Sequence, residues 1–401
     1  MSHMKDKQIE KLLKSEKARQ KKVINLVASE NYVSKDVMEA LGSEFTNKYS
    51  EGYSGARYYG GNEFMDKVED LAQERALKLF KLSKSKWHVN VQALSGAPAN
   101  MAVFSAIVPY GAKIMGMTLD SGGHLSHGYK VSITGKMWKQ VPYSVDPDTE
   151  KLNYDAIMRI ALKEKPKMIV AGFSAYSRKV NWKKFREIAD ACGSILMVDM
   201  AHIAGLVAGG AHSSPFLHAD LVTTTVHKTL RGPRAALIFS RKDKSDYSEK
   251  IDKSVFPGMQ GGPHMNQVLA TAVALGEAMK SDFKKYAEQT IKNAKALSDE
   301  LKNLGWRIVS GGTDNHIVLV DVWSTLNIGG KEVSEVLERN NIIVNKNQIP
   351  YDTKSPVNPS GVRLGSPAET TRGKKEKDFA AIAKKIDKVL RDYADKNKKT
   401  S

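Results

Sequence analysis

Short apolar runs alternate with longer amphipathic stretches over most of the chain, which is typical of an α/β protein. Residues 195–200 and 221–226 are rich in β-branched side chains and predict two buried parallel strands, each ending in polar residues. Ligands of open α/β sheets bind outside the carboxyl ends of the strands. The two runs therefore predict one crevice that gathers acidic, hydroxyl, imidazole and amine groups, namely Asp199, His202, Thr225, His227 and Lys228.

The same pattern places further elements on both sides of this centre. We predict helices at residues 5–22, 63–81, 95–108, 154–163, 181–191 and 331–340, and long helices from about 263 to 303, with an amphipathic helix at the C-terminus. We predict strands at 87–92, 113–119 and 168–172. We divide the chain into an N-terminal arm (1–45), a large domain (46–275) and a small C-terminal α+β domain (276–401).

Composition narrows the class of protein. A chain of 401 residues with 41% hydrophobic residues can bury a large core. Its formal charge of +18 comes from lysines spread along the sequence, so we expect a solvated surface that attracts anionic ligands, without a specific nucleic-acid site. The single cysteine, Cys192, excludes an internal disulfide. With no signal peptide or membrane-spanning run visible, we expect a cytoplasmic protein.

A lysine and an acid at the ends of neighbouring strands predict a pyridoxal phosphate site. Lys228 would bind the cofactor aldehyde, and Asp199 would keep the pyridine nitrogen protonated. Taken singly, Asp199 is equally well explained as a helix cap and Lys228 as a solvated loop lysine. Their occurrence together, with TTTVHK followed by GPR, favours the cofactor site.

Three further segments carry candidate chemistry. The predicted helix at 95–108 begins with Ser95, Gly96 and Ala97, and free amides at a helix start bind phosphate. His124, in the loop DSGGHLSHG, is either a ring that stacks on the cofactor or a solvated loop histidine. The tyrosine-glycine loop at 46–63, TNKYSEGYSGARYYGGNE, suits no regular element and offers Glu51 as a candidate acid; the alternative is an exposed carboxylate.

The segments VDMAH and TTTVHKTLRGPR resemble the serine (glycine) hydroxymethyltransferases, which are fold-type I pyridoxal phosphate enzymes of the aspartate aminotransferase-like fold. The resemblance extends from about Val23 to the C-terminal helix. It implies a large domain whose mostly parallel mixed sheet is flanked by helices. It also implies reversible transfer of the hydroxymethyl carbon of L-serine to tetrahydrofolate, giving glycine and 5,10-methylenetetrahydrofolate.

The resemblance also implies roles for individual residues. Cofactor contacts are implied for Ser95, Gly96, Ala97, His124, Ser174, Asp199, His202, His227 and Lys228, with Thr225 orienting the cofactor linkage. Substrate contacts are implied for Ser29, Tyr59, Glu51 and the carboxylate-binding Arg363, and folate contacts for Glu51, Tyr58, Leu119, Gly123, Leu125 and Asn347. No metal ligand is implied. Whether Glu51 acts as acid, base or water-positioning group stays open.

Part of each site is expected to come from a second subunit, because in the family Tyr49, Glu51, Tyr59, Gly261 and Gly262 reach the neighbouring chain's cofactor. We therefore predict at least a homodimer and leave dimer or tetramer open. Ala97, Val226 and Met259 depart from the family's usual residues. The nearest alternative function is a folate-independent aldolase acting on threonine or phenylserine, against which Glu51, Tyr58 and Asn347 argue. A basic RNA-binding protein is a remote alternative.

Overall fold

The structure of the chain is a computed structural model that describes residues 4–242 and 246–398, the last two without their side chains. Its helices are α1 (Lys7–Lys22), α2 (Lys35–Leu41), α3 (Glu63–Leu79), α4 (Gly96–Ile107), α5 (Ile133–Met137), α6 (Tyr154–Glu164), α7 (Trp182–Cys192), α8 (Ala204–Ala208), α9 (Tyr247–Lys253), α10 (Met265–Ala278), α11 (Ser281–Asn303), α12 (Val322–Leu326), α13 (Gly330–Arg339), α14 (Pro367–Thr371) and α15 (Glu376–Lys398). Its strands are β1 (Ile24–Asn25), β2 (Gly52–Tyr53), β3 (Ala56–Arg57), β4 (Trp87–Asn90), β5 (Lys113–Met117), β6 (Lys139–Tyr143), β7 (Met168–Gly172), β8 (Ile195–Asp199), β9 (Leu221–Thr225), β10 (Ala236–Arg241), β11 (Arg307–Ile308), β12 (Ile317–Asp321), β13 (Ile342–Ile343), β14 (Asn345–Asn347) and β15 (Gly361–Gly365).

A seven-stranded mixed sheet in the order β4-β10-β9-β8-β7-β5-β6 forms the centre of the large domain. All its pairs are parallel except those made by β10, which runs antiparallel to both β9 and β4. The two strands predicted around the crevice are β8 and β9. They are adjacent, with Asp199 opposite Thr223. The predicted α/β fold with a mostly parallel mixed sheet is confirmed.

Both faces of the sheet are covered, which explains the continuous apolar runs. Alternate side chains of β8 enter different cores: Leu196 and Val198 pack in one hydrophobic cluster, and Met197 packs in another. All three side chains are fully buried. This packing fixes the register of β8 and hence the position of Asp199 at its end.

The C-terminal region has its own four-stranded antiparallel sheet, in the order β11-β12-β15-β14. Its core includes side chains of α11, α13 and α15. Leu26 belongs to this core as well, and β1 pairs in parallel with β13. The segment after α1 is thus attached to the C-terminal sheet.

One region differs in detail from the sequence prediction. The tyrosine-glycine loop contains a short hairpin, β2 and β3, where we expected no regular element, and Gly52 permits it by adopting φ 93°. The long helices predicted from about 263 to 303 are α10 and α11. No helix in residues 4–242 and 246–398 is long and apolar enough to cross a membrane.

Candidate active site

A cleft of about 490 Å³ lies at the carboxyl ends of the central strands, beside an inner pocket of about 190 Å³. The predicted residues divide between these two spaces. The outer cleft is lined by Ser29, Leu119, Gly123, Leu125, Asn347 and Arg363, the inner pocket by Ser95, Gly96, Ala97, Asp199 and Thr225, and both by His124, Ser174, His202, His227 and Lys228. Residues separated by more than 300 positions in sequence therefore surround one amine.

Lys228 lies in the turn after β9, and its Nζ donates to Oγ1 of Thr225 at 3.2 Å. Burial, supported by the positive charges of Arg363 and Arg234, lowers the pKa of Lys228 from 10.5 to about 8, although the charge of Asp199 opposes the shift. A larger fraction of the amine is therefore neutral near pH 7 than for a solvated lysine. The neutral amine is the form that attacks an aldehyde.

Asp199 is held by hydrogen bonds to both carboxylate oxygens. Oδ2 accepts from Nδ2 of Asn100 at 2.8 Å and from Nε2 of His127 at 2.9 Å, while Oδ1 accepts from the backbone amide of Ala201 at 3.0 Å. Burial alone would raise the pKa of this carboxyl, but the bond from His127 and the other neighbours lower it well below its ordinary value. Asp199 is therefore ionised at neutral pH, as a partner for a protonated pyridine nitrogen must be.

His124 is a neutral ring with a fixed tautomer. The backbone amide of Ser126 donates to Nδ1 of His124 at 3.2 Å, so the ring proton lies on Nε2. Burial lowers the pKa of His124 to about 4. The hydroxyl of Ser126 lies 2.7 Å from the same Nδ1 and accepts from Asn100 at 2.8 Å, which fixes the ring orientation.

The start of α4 provides a phosphate cradle. Ser95 is the N-cap residue, and its hydroxyl makes no capping bond. Ser95, Gly96 and Ala97 line the inner pocket, so the free amides and the positive dipole end at the start of α4 lie beside it. Gly96 is required because a Cβ there would lie only 2.8 Å from Cγ2 of Thr225. The cradle, the ionised Asp199 and the amine of Lys228 together fit the phosphate, ring nitrogen and aldehyde of pyridoxal phosphate.

Arg363 comes from β15 of the C-terminal sheet and is oriented by two acceptors. Its Nε donates to Oδ1 of Asn345 at 3.1 Å, and its Nη1 donates to the backbone carbonyl of Ser174 at 2.5 Å. Burial lowers the pKa of Arg363 to about 10, so the guanidinium stays charged at neutral pH. The remaining N–H groups are available for a carboxylate in the outer cleft.

The residues predicted to serve a neighbouring subunit form a separate cluster. Tyr49 Oη lies 3.4 Å from Oε1 of Glu51, and the rings of Tyr49 and Tyr59 meet edge to face. Gly261 and Gly262 lie against Tyr49 and Glu51. Tyr58 is 73% exposed. None of these six residues lines the cleft or the inner pocket described around Lys228. Within one chain, the structure does not bring them to the predicted site.

The loop that carries Glu51 is nevertheless held firmly. Arg57 donates to the backbone carbonyls of Ser50 and Gly52 at 2.9 and 2.7 Å and pairs with Asp66 at 2.8 Å. It also pairs with the buried Glu69 of α3. The loop thus presents Glu51 and its tyrosines from a fixed base.

Sequence reasoning missed several residues that support the predicted ones: Asn100, Ser126, His127 and Asn345. An asparagine in the otherwise largely apolar α4 was the one available sign, because a buried amide needs polar partners. Of the departures from the family pattern, Val226 is a core residue packed against Gly232, Met259 packs against a core cluster, and Ala97 is exposed.

A comparison with known families agrees with this geometry. The family model described as serine hydroxymethyltransferase matches residues 2–386. The chain belongs to the serine hydroxymethyltransferase family. It is a one-carbon transferase that uses pyridoxal phosphate as cofactor and tetrahydrofolate as cosubstrate in the interconversion of serine and glycine. Nothing in the match favours the aldolase or RNA-binding alternatives. Proteins of this family are generally oligomeric.

Proposed function

We propose that Lys228 and Asp199 form the core of the cofactor site. When bound, pyridoxal phosphate supplies an aldehyde that joins an amine and a ring that accepts electrons. Lys228 provides the amine, and its low pKa keeps part of it neutral at pH 7. Asp199 keeps the ring nitrogen protonated, and its place at the end of β8 next to β9 supports this pairing.

Other residues of the inner pocket orient the cofactor. The start of α4, with Ser95, Gly96 and Ala97, holds the phosphate. His124, a neutral imidazole that lines this pocket, would stack on the cofactor ring. Thr225 holds the Nζ of Lys228, and its hydroxyl 3.2 Å away supports that role. Ser174, His202 and His227 also line this pocket, and Ser174 and His202 would hydrogen-bond the phenolic oxygen of the cofactor.

The outer cleft receives the amino acid and the folate. Arg363 binds the carboxylate of serine, with Ser29 as a further contact. Leu119, Gly123, Leu125 and Asn347 form the folate wall, and a cleft of about 490 Å³ is in the range of sites for ligands of this size. The backbone of Gly123 cannot be shielded by a side chain, since a Cβ would lie 2.1 Å from the carbonyl oxygen of Met117.

A second subunit completes each site in this proposal. Glu51, Tyr49 and Tyr59, with Gly261 and Gly262, lie outside the chain's own cleft, and in a two-fold dimer such a cluster is presented to the partner twice. Glu51 then handles protons at the serine hydroxyl or the folate, and Tyr58 contacts the folate. The exposed apolar side chains of α1, including Leu12 and Leu13, support burial against another chain.

We also propose a cytoplasmic location for the protein. The thiol of Cys192, the single cysteine, is partly buried at the end of α7. It lies 3.2 Å from the backbone carbonyl oxygen of Ile188 and 3.0 Å from the hydroxyl of Ser194. A reduced thiol of this kind suits a reducing compartment. Fractionation of the native host, followed by blotting, tests the location.

The observation that carries the proposal is the meeting of a low-pKa amine, an ionised acid and free helix amides in one pocket. Borohydride reduction should fix labelled pyridoxal phosphate to the wild-type protein and not to Lys228→Ala. Lys253→Ala is a matched control, because Lys253 lies on the surface paired with Glu249 and should leave labelling unchanged. Labelling of Lys228→Ala at the wild-type level would show that another lysine holds the cofactor.

A further inference from the structure

Two buried histidines from different domains meet beside the inner pocket. His202 follows β8 and is 6% exposed, while His316 directly precedes β12 and is fully buried. Nδ1 of His202 lies 3.3 Å from Nε2 of His316. The ring planes differ by 16° and the centroids are 5.5 Å apart, much further than the two nitrogens. The rings therefore meet edge to edge, as an in-plane hydrogen bond requires, and do not stack face to face.

The protons of this pair can be counted. Burial lowers the pKa of His202 well below its ordinary value and that of His316 to about 3, with the charges of Lys228 and Arg363 acting in the same direction. Both rings are thus neutral at physiological pH, and each carries one N–H. The hydrogen bond between them uses one of the two protons. The position of that proton decides which nitrogen of His202 carries the other.

One tautomer leaves no buried N–H unpaired. Nδ1 of His316 makes no hydrogen bond within the described residues, so a proton there would be buried without an acceptor. The proton of His316 is better placed on Nε2, from which it is donated to Nδ1 of His202. His202 must then carry its own proton on Nε2. The backbone of Ala28 lies close enough to raise the pKa of His316 slightly against the effect of burial, but Nδ1 of His316 forms no hydrogen bond to it.

Both histidines are fixed by their surroundings. The carbonyl of His202 accepts from Oγ1 of Thr229 at 2.9 Å, so its backbone is held next to Lys228. The segment that carries His316 is docked on the large domain, where Nδ2 of Asn315 donates to the carbonyl of Tyr176 at 3.0 Å. Rotation of the His202 ring is therefore the remaining freedom, and His316 restricts it.

We propose that His316 is a positioning residue for His202: it orients the ring and keeps the proton on Nε2, so that His202 presents an N–H donor to the phenolic oxygen of pyridoxal phosphate. This inference rests on the proposed placement of His202 beside the cofactor. Because His316 belongs to the C-terminal domain, the donor is correctly set only when the two domains are docked as described.

The test compares two substitutions of similar polarity in the cofactor-loaded protein. His316→Gln places its amide near the position of Nε2 and keeps a donor to His202, whereas the shorter His316→Asn leaves that position empty. The ratio of the visible to the near-ultraviolet absorbance band measures how much of the bound cofactor has an ionised phenolic oxygen. We expect His316→Asn to lower this ratio about five-fold, which corresponds to one neutral hydrogen bond of about 1 kcal/mol. His316→Gln should stay within about two-fold of the wild type.

His202→Leu separates this inference from the proposed site. A change of the spectrum in His202→Leu but not in His316→Asn overturns the positioning role and leaves the site intact. No change in either variant means that His202 does not contact the cofactor. If His316→Gln and His316→Asn lower the absorbance ratio equally, His316 has only a packing role and the inference is overturned. Should the variants not fold, nitrogen-15 resonances of His202 in the wild-type protein decide, since a proton on Nδ1 contradicts the proposal.

Discussion

The side-chain amide of Asn100 lies 2.8 Å from Oδ2 of Asp199 and 2.8 Å from the hydroxyl of Ser126. The hydroxyl of Ser126 in turn lies 2.7 Å from Nδ1 of His124. The amide of Asn100 therefore connects Asp199, the predicted partner of the pyridine nitrogen, with His124, which is predicted to stack on the pyridine ring. Thr223 donates to Oδ1 of Asn100 at 2.7 Å and so fixes which way the amide points. His127 is the other side chain that donates to Oδ2 of Asp199, at 2.9 Å.

We predict that Asn100→Ala lowers kcat about ten-fold or more while the protein stays folded. The variant removes a hydrogen bond to a charged carboxylate, worth roughly 1.5 to 3 kcal/mol, and frees Asp199 to shift away from the ring nitrogen. Ser126→Ala is the matched control, because it removes the other hydrogen bond of the Asn100 amide and leaves the one to Asp199 in place. This variant should lower kcat less than Asn100→Ala does. Steady-state kinetics at saturating cofactor provide the measurement. An Asn100→Ala enzyme with more than half of the wild-type kcat would contradict the role.

The lowered pKa of Lys228 predicts how cofactor attachment depends on pH. Only the neutral amine reacts, and it predominates above a pKa of about 8 instead of 10.5. The rate of attachment to cofactor-free protein should therefore rise by about ten-fold per pH unit below pH ~7 and level off just above pH ~8. Stopped-flow absorbance measures this rate, with a small aliphatic amine as reference. A rate that keeps rising to pH ~10, as for the reference amine, would show that burial does not lower this pKa.

The contact between Asn345 and Arg363 predicts an effect on serine binding that can be separated from an effect on turnover. Oδ1 of Asn345 accepts from Nε of Arg363 at 3.1 Å. Asn345→Ala should therefore loosen the guanidinium and raise KM for serine by about ten-fold with little change in kcat. Arg363→Lys, which keeps the charge but loses the planar fork, should raise KM further. Initial rates over a range of serine concentrations give both constants. Unchanged KM in Asn345→Ala would mean that the carbonyl of Ser174 suffices to orient Arg363.

The elements that carry the site could be predicted because their sequences are locally unambiguous. β7 coincides with the predicted strand at 168–172, and β8 and β9 are one residue shorter than predicted. β6 and β10 were not predicted as strands: β6, KQVPY, carries Pro142 and polar residues, and β10 follows a turn-forming GPR segment. The division at 1–45, 46–275 and 276–401 stays a prediction, although α10 packs on α3 and α11 on α15.

Within the site, the residues that follow strand ends were predictable, since topology brings strand ends together. The supporting contacts were not. Asn345 acts on Arg363 only through the antiparallel pairing of β14 with β15, and His316 meets His202 only when two domains dock. Such contacts depend on tertiary geometry that no local pattern specifies. The site assignments themselves rest on the resemblance and stay predictions until the variants are measured.

The shared site is the central claim, and subunit complementation tests it most directly. Lys228→Ala and Glu51→Ala are each expected to be inactive. When the two proteins are unfolded, mixed in equal amounts and refolded, half of the dimers contain one subunit of each kind. Each mixed dimer then has one site with both residues intact, so the mixture should regain about one quarter of the wild-type activity. A mixture that stays inactive although mixed dimers are demonstrated would contradict the account, because Glu51 would then act within its own chain.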